Sequence, residues 1–71
     1  MYAKITDMWQ VSHLKNGDFI TYQANTPEPR RYLIQTIDKI SVFARLVMEE
    51  ICAIKIFPTE QLISQDWYKE A

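Results

Sequence analysis

Cysteine, glycine and histidine each occur only once in this sequence, as Cys52, Gly17 and His13. One cysteine cannot form an intrachain disulfide or a cysteine-only zinc site. One glycine cannot build a glycine-rich phosphate loop. The sequence also lacks an excess of either charge. It has 8 Lys and Arg residues and 9 Asp and Glu residues, for a net charge of −1. This balance argues against a strongly basic nucleic-acid clamp.

Long apolar runs are missing as well. No window of the sequence approaches the roughly 18 apolar residues of a membrane span, and residues 1–7 lack the apolar segment of a secretory signal. We therefore predict a cytoplasmic location, which fits a lone cysteine. The sequence predicts no cofactor and no bound metal.

Apolar residues are nevertheless abundant for so short a chain. The 71 residues are enough for one domain, residues 1–71, and 48% of them are hydrophobic and 13% aromatic. Such a composition excludes a disordered tail. A chain of this size buries only about 60% of its unfolded surface, so we expect apolar surface to remain for contact with another molecule, first of all a second copy.

The dipeptide Asn16-Gly17 is the clearest local signal, because it readily supplies the two positive φ values of a type I′ turn. Side chains alternate between the two faces of a strand, and a hairpin centred there gathers apolar residues on one face. The sequence therefore predicts a β-hairpin. Its expected cross-strand pairs are Lys15 with Asp18, His13 with Ile20, Val11 with Tyr22, and Trp9 with Ala24.

Residues 30–57 follow a loop, Asn25-Thr26-Pro27-Glu28-Pro29, and contain no Gly, Pro or Asn. Two interpretations are open for them. A helix from residue 30 to 54 would place apolar residues at 4, 3, 4, 3 spacing. Strands with a turn at Asp38-Lys39 fit the enrichment in Ile, Val and Phe better, and we prefer them. The alternating apolar positions are Ile40, Val42, Ala44, Leu46 and Met48, and later Cys52, Ile54 and Ile56.

The C-terminal part predicts a strand that ends at Pro58 and then a short helical turn, with Thr59 available as its cap. Residues 64–71 form a polar tail with two large aromatic residues, Trp67 and Tyr68. A tail of this kind frays unless it docks. The aromatic residues indicate that it docks, either on its own domain or on a partner.

The order of these signals gives one resemblance at the level of fold. Gly17-Asp18 precedes the alternating run Phe19-Ile20-Thr21-Tyr22, and later a strand, a proline and a short turn end at Leu62. This order resembles SH3-like small β-barrels. The resemblance implies a mostly β domain, a five-stranded barrel with a short helical turn near the C-terminus. The alternative is an α+β fold with an N-terminal hairpin and one long helix over residues 30–54.

One enzyme family of that fold, the plasmid-type (type II) dihydrofolate reductases, carries Val-Gln-Ile-Tyr-Pro in its final strand. The matching run here is Ile54-Lys55-Ile56-Phe57-Pro58. Lys55 and Phe57 replace the functional glutamine and tyrosine, and Tyr22 falls near the position of the functional lysine. We therefore do not transfer the activity.

Catalytic groups are sparse. In the predicted hairpin His13 faces Ile20, which supplies neither a nucleophile nor a carboxylate. Cys52 lies in an apolar run, where a thiol behaves as a small hydrophobe. Glu49 and Glu50 are adjacent and would point to opposite faces of a strand. The sequence therefore predicts a protein that is not an enzyme.

Binding is the class of function that the sequence favours. We predict a small protein-interaction module, an adaptor or regulator that forms homo-oligomers and contacts another protein. The alternative is a nucleic-acid-binding regulator. The candidate protein-interaction residues are Trp67, Tyr68, Phe19 and Leu14. The candidate nucleic-acid residues are Arg30, Arg31, Tyr32, Lys39 and Arg45.

Overall fold

Six strands and two short helices are present in a computed structural model that describes residues 1–47 and 54–70. All strands belong to one antiparallel sheet in the order β1-β6-β2-β3-β4-β5. The elements are β1 (Tyr2–Lys4), α1 (Met8–Ser12), β2 (Phe19–Tyr22), β3 (Arg30–Ile37), β4 (Ser41–Leu46), β5 (Ile54–Pro58), α2 (Gln61–Ser64) and β6 (Trp67–Glu70). The prediction of a mostly β fold is confirmed. The sheet is open and has six strands, whereas five were predicted in a barrel.

The long helix considered for residues 30–54 is wrong, because β3 and β4 form a hairpin there. Its turn lies at Asp38, as predicted for the strand interpretation. The Asp38 carboxylate accepts hydrogen bonds from the backbone N–H groups of Ile40 (2.9 Å) and Ser41 (2.8 Å). These two bonds lower the pKa of Asp38 from its ordinary value. Local side-chain chemistry thus ends β3 and starts β4.

Burial in β4 follows the predicted alternation from Val42 onwards, whereas Ile40, the first residue of the predicted series, precedes the strand and is 75% exposed. Val42, Ala44 and Leu46 are buried, whereas the residues between them are only half-buried. Met48 and Cys52, which were placed in the same alternating series, lie outside the described residues. A register shift between Ile34 and Thr36 in β3 keeps apolar residues of both strands on the core side.

The N-terminal hairpin predicted around Asn16-Gly17 is wrong, because residues 8–12 form helix α1. A capping box starts this helix. The Asp7 carboxylate accepts from the Gln10 N–H (2.9 Å), and the Gln10 side-chain oxygen accepts from the Asp7 N–H (3.2 Å). The cap satisfies backbone donors locally, and the helix buries Val11. Strand β2 consequently pairs with β3 and β6.

A tight turn does form at Asn16-Gly17, but it joins α1 to β2. The Asp18 N–H donates to the Lys15 carbonyl at 3.1 Å, and the Lys15 N–H donates to the Asp18 carboxylate at 3.1 Å. Within this turn only Gly17 has a positive φ, +92°. A type I′ turn needs two positive values, whereas a single one at the third residue is typical of type II.

Residues 67–70 of the tail predicted for residues 64–71 form strand β6. Strand β6 lies between β1 and β2, and the Ile5 N–H donates to the Trp67 carbonyl at 2.9 Å. Trp67 is 2% exposed, and its ring contacts those of Tyr22, Tyr32 and Phe57. The tail therefore docks on its own domain, and Trp67 is a core residue.

One side of the sheet, here called the core face, packs against both helices. Its buried residues, with those of the helices and loops, are Ile5, Val11, Leu14, Ile20, Tyr32, Ile34, Val42, Ala44, Leu46, Leu62 and Trp67. The opposite side is called the outer face. A row of paired residues crosses four of its strands, namely Phe19, Leu33, Arg45 and Ile54.

Strand β5 ends at Pro58 and a short helix follows, as predicted. Thr59 does not cap that helix, however. The N-cap residue is Glu60, which makes no side-chain cap bond, and the Thr59 hydroxyl donates to the Lys39 carbonyl at 3.0 Å. This bond ties the end of β5 to the β3–β4 turn.

Candidate functional site

Strand β5 forms one edge of the sheet. It pairs with β4 on one side, and no strand among residues 1–47 and 54–70 pairs with the other side. The Thr59 N–H donates to the Ile40 carbonyl, and the direction of backbone groups alternates along an antiparallel strand. Phe57 and Lys55 therefore point their N–H and C=O groups towards β4. Ile54 and Ile56 point their N–H and C=O groups away from the sheet, and Pro58 points its C=O group away.

The outer-face side chains of this edge are apolar. Ile54 is 56% exposed and Ile56 is 62% exposed, and both lie on the outer face, opposite Arg45 and Phe43 of β4. Lys55 and Phe57 lie on the other face. Ile54–Pro58, with these outward-facing groups, is called the β5 edge below. Exposed edges with apolar residues are templates for pairing with another strand.

A second apolar surface surrounds helix α1. Trp9 is 70% exposed, and its ring lies 4.2 Å from that of His13. Trp9 also lines a groove of about 220 Å³, together with residues that include Ile5, Leu14 and Lys69. Together, Trp9 and this groove are called the α1 surface. Exposed tryptophan is typical of interaction sites.

The four residues predicted for protein interaction do not share one surface. Trp67 and Leu14 (6% exposed) are buried in the core and have almost no area to offer a partner. Phe19 and Tyr68 are half-buried on the outer face. The Arg31 guanidinium covers the Phe19 ring at 3.7 Å. The Tyr68 hydroxyl accepts from Asn25, and Lys4 lies over the Tyr68 ring.

The five residues predicted for nucleic-acid binding are also dispersed. Arg30 is exposed, whereas its neighbour Arg31 lies on the opposite face of β3. Tyr32 is 5% exposed and packs against Phe57 and Trp67 in the core, so its ring faces cannot stack on bases. Lys39 is in the β3–β4 turn, and Arg45 is half-buried on β4.

Arg31 is engaged by an acidic residue. Its Nε and Nη2 atoms donate to the two carboxylate oxygens of Glu70 at 2.7 and 2.9 Å. The hydrogen bond to Glu70 raises the pKa of Arg31, so the guanidinium stays charged at every ordinary pH. The contact joins β3 to β6 across β2.

Of the residues considered as catalytic candidates, only His13 lies in the part of the chain that the structure describes. Its Nδ1 atom lies 2.7 Å from the Trp9 carbonyl oxygen and 3.2 Å from the Ser12 hydroxyl. Cys52, Glu49 and Glu50 lie outside the described residues. In the ranges that the structure covers, no three His, Cys, Asp or Glu side chains are grouped to hold a metal ion. No helix in those ranges is long and apolar enough to cross a membrane.

The residues of both apolar surfaces were missed as site residues. Trp9 was assigned to the core face of a hairpin, and a recognisable signal, the Asp7–Gln10 capping box, would have placed it on a helix. Ile54 and Ile56 were correctly assigned to a strand, but their exposure depends on β5 being at an edge. The order of strands in the sheet decides that, and the alternation of the sequence does not.

Comparisons with protein-family models, with curated proteins and with solved structures gave no match.

Proposed function

We propose that this protein is a small, non-enzymatic protein-interaction module that self-associates. The observation that supports the proposal is the β5 edge, where backbone groups that pair with no strand of the described residues lie beside Ile54 (56% exposed) and Ile56 (62% exposed). Pairing with another strand would satisfy those groups and remove both side chains from water. An exposed apolar edge of this kind costs a protein solubility unless it is used.

The α1 surface supports the adaptor role in the same proposal. Trp9 lines the groove, whose lining is mostly apolar and includes one cation, Lys69. A second protein could bury Trp9 there while the β5 edge engages another copy. The resemblance to SH3-like barrels stays a prediction, and so does the cytoplasmic location; neither carries the proposal.

The nucleic-acid alternative has weaker support from the same residues. Arg31 is paired with Glu70, and Tyr32 is in the core. Arg30 and Lys39 lie at separate places on the fold, Arg45 is half-buried on β4, and the net charge of the chain is −1. Phosphate contacts need several cations on one surface to give useful affinity.

Light scattering after size exclusion tests the proposal over a wide range of protein concentration. The mass should rise from the 8.4 kDa of a monomer towards that of a dimer as the concentration increases. A parallel series contains mixed DNA and RNA oligonucleotides. A protein that stays monomeric alone, and shifts only with oligonucleotides at low salt, would overturn the proposal in favour of nucleic-acid binding.

A further inference from the structure

The outward-facing groups of the β5 edge recur at every second residue, at Ile54, Ile56 and Pro58. We propose that two copies of this chain pair antiparallel through β5, with Ile56 of one copy opposite Ile56 of the other on a two-fold axis. The two sheets would then be continuous across the seam. This inference rests on the proposed self-association and specifies the surface and the register.

The hydrogen-bonding capacity of the edge fits this register. In a pair centred on Ile56, the two Ile56 residues exchange two backbone hydrogen bonds. Each Ile54 N–H also donates to the Pro58 carbonyl of the other copy, for four bonds in all. Pro58 has no N–H to donate, so a pair centred on Phe57 would form only the two bonds from Ile56 to the opposite Pro58 carbonyl.

Repulsion between like charges argues against a third register, which is centred on Lys55. A pair centred on Lys55 also forms four bonds, between Ile54 and Ile56 of opposite copies. It would, however, place the two Lys55 side chains directly opposite each other, at a position where Cα atoms approach to about 4.5 Å. Like charges opposed in this way are destabilising. The pair centred on Ile56 places each Lys55 opposite Phe57 instead.

The side chains on the outer face favour the same arrangement. Ile54, Ile56 and Pro58 all lie on that face, so the axis at Ile56 would bring Ile54 opposite Pro58 and the two Ile56 side chains together. The half-buried Phe43 beside Ile56 extends this apolar stripe. Stable interfaces bury about 800 Å² on each partner. Because a five-residue edge provides less, we expect a reversible dimer that forms as the concentration rises.

Disulfide cross-linking of single-cysteine variants tests the register. In a background with Cys52→Ser, the variants Ile56→Cys, Lys55→Cys and Ile54→Cys are oxidised at concentrations where the parent forms dimers. Cα atoms in a hydrogen-bonded pair are about 5.5 Å apart, which suits a disulfide. Ile56→Cys should form covalent dimers at least tenfold faster than the other two. Fastest cross-linking of Lys55→Cys would overturn the proposed register, and equal rates would overturn any defined pairing.

A charge substitution tests the surface independently of cysteine chemistry. Ile56→Lys places two like charges at the axis and should shift dimerisation to at least tenfold higher concentration, with an unfolding midpoint equal to that of the parent at concentrations where both proteins are monomeric. The matched control is Ile40→Lys, which makes the same change at another exposed isoleucine (75% exposed) outside both named surfaces and should leave dimerisation unchanged. An oligomer that persists in Ile56→Lys would overturn this inference but keep the proposed function. A parent that is monomeric at every concentration would overturn both.

Discussion

Replacing Trp67 by alanine should remove a large fraction of the stability of this domain. Trp67 is 2% exposed. Its ring centroid lies 5.1 Å from that of Tyr22, 5.4 Å from that of Tyr32 and 5.1 Å from that of Phe57. Truncation of a buried tryptophan costs about 3–5 kcal/mol. A chain of this length has a free energy of unfolding of about 4–10 kcal/mol. The variant should therefore have a free energy of unfolding close to zero, or be unfolded.

The position of Trp67 explains why the loss would not stay local. Trp67 is the first residue of β6, the strand that lies between β1 and β2, and its carbonyl accepts a hydrogen bond from the Ile5 N–H. A weakened β6 releases β1 from the sheet as well. Unfolding should therefore remain a single transition with a lower midpoint.

Urea unfolding followed by circular dichroism measures this effect. Trp9→Ala is the matched control, because Trp9 is 70% exposed and its loss should change the free energy of unfolding by no more than about 0.5 kcal/mol. Fluorescence gives a second check on the two tryptophans. Trp9→Phe leaves a buried emitter whose spectrum shifts on unfolding, whereas Trp67→Phe leaves an exposed one that changes little. A Trp67→Ala variant that loses less than about 1 kcal/mol would refute the assignment of Trp67 to the core.

Three further predictions concern polar groups. The Thr21 hydroxyl is buried and has no partner among the described residues, so Thr21→Val should raise the free energy of unfolding by about 1 kcal/mol in urea titrations; a decrease would contradict this. The pKa of Asp38 is lowered in the folded protein, so its stabilisation is present above the ordinary value of about 3.9 and lost as pH falls through the lower folded-state pKa. In thermal unfolding between pH 2 and 7, the midpoint of the parent should therefore fall more steeply at acid pH than that of Asp38→Asn. Parallel plots of midpoint against pH would refute this prediction. Arg31→Lys should lower the unfolding midpoint, because lysine cannot keep both bonds to Glu70, and added salt should reduce the difference; a deficit that salt does not change would argue against the ion pair.

Elements with a local cause could be predicted from the sequence. The β3–β4 hairpin follows from alternating apolar residues and from Asp38, which binds the N–H groups of its own turn. The end of β5 at Pro58 and the short helix after it have local causes too. The prediction failed at α1, where a capping box between Asp7 and Gln10 outweighed an alternating pattern that also suits a strand.

The candidate site could not be predicted from local sequence patterns. Exposure of Ile56 depends on β5 being an edge strand, and the burial of Tyr32, unlike that of Arg31, depends on which face of β3 packs on the helices. Both are consequences of long-range packing. An alternating pattern indicates two faces of a strand, but it does not indicate which face or which edge is covered.

The sequence by itself determined that this is a small, mostly β domain with a turn at Asn16-Gly17 and strands on both sides of Asp38, because period-two burial and turn chemistry act between near neighbours. Only the tertiary structure decided that β6 lies between β1 and β2, which buries Trp67 and leaves β5 at the edge. The physical reason is that a strand can pair with any other strand of compatible length. The choice among pairings depends on burying the largest side chains of the whole chain together.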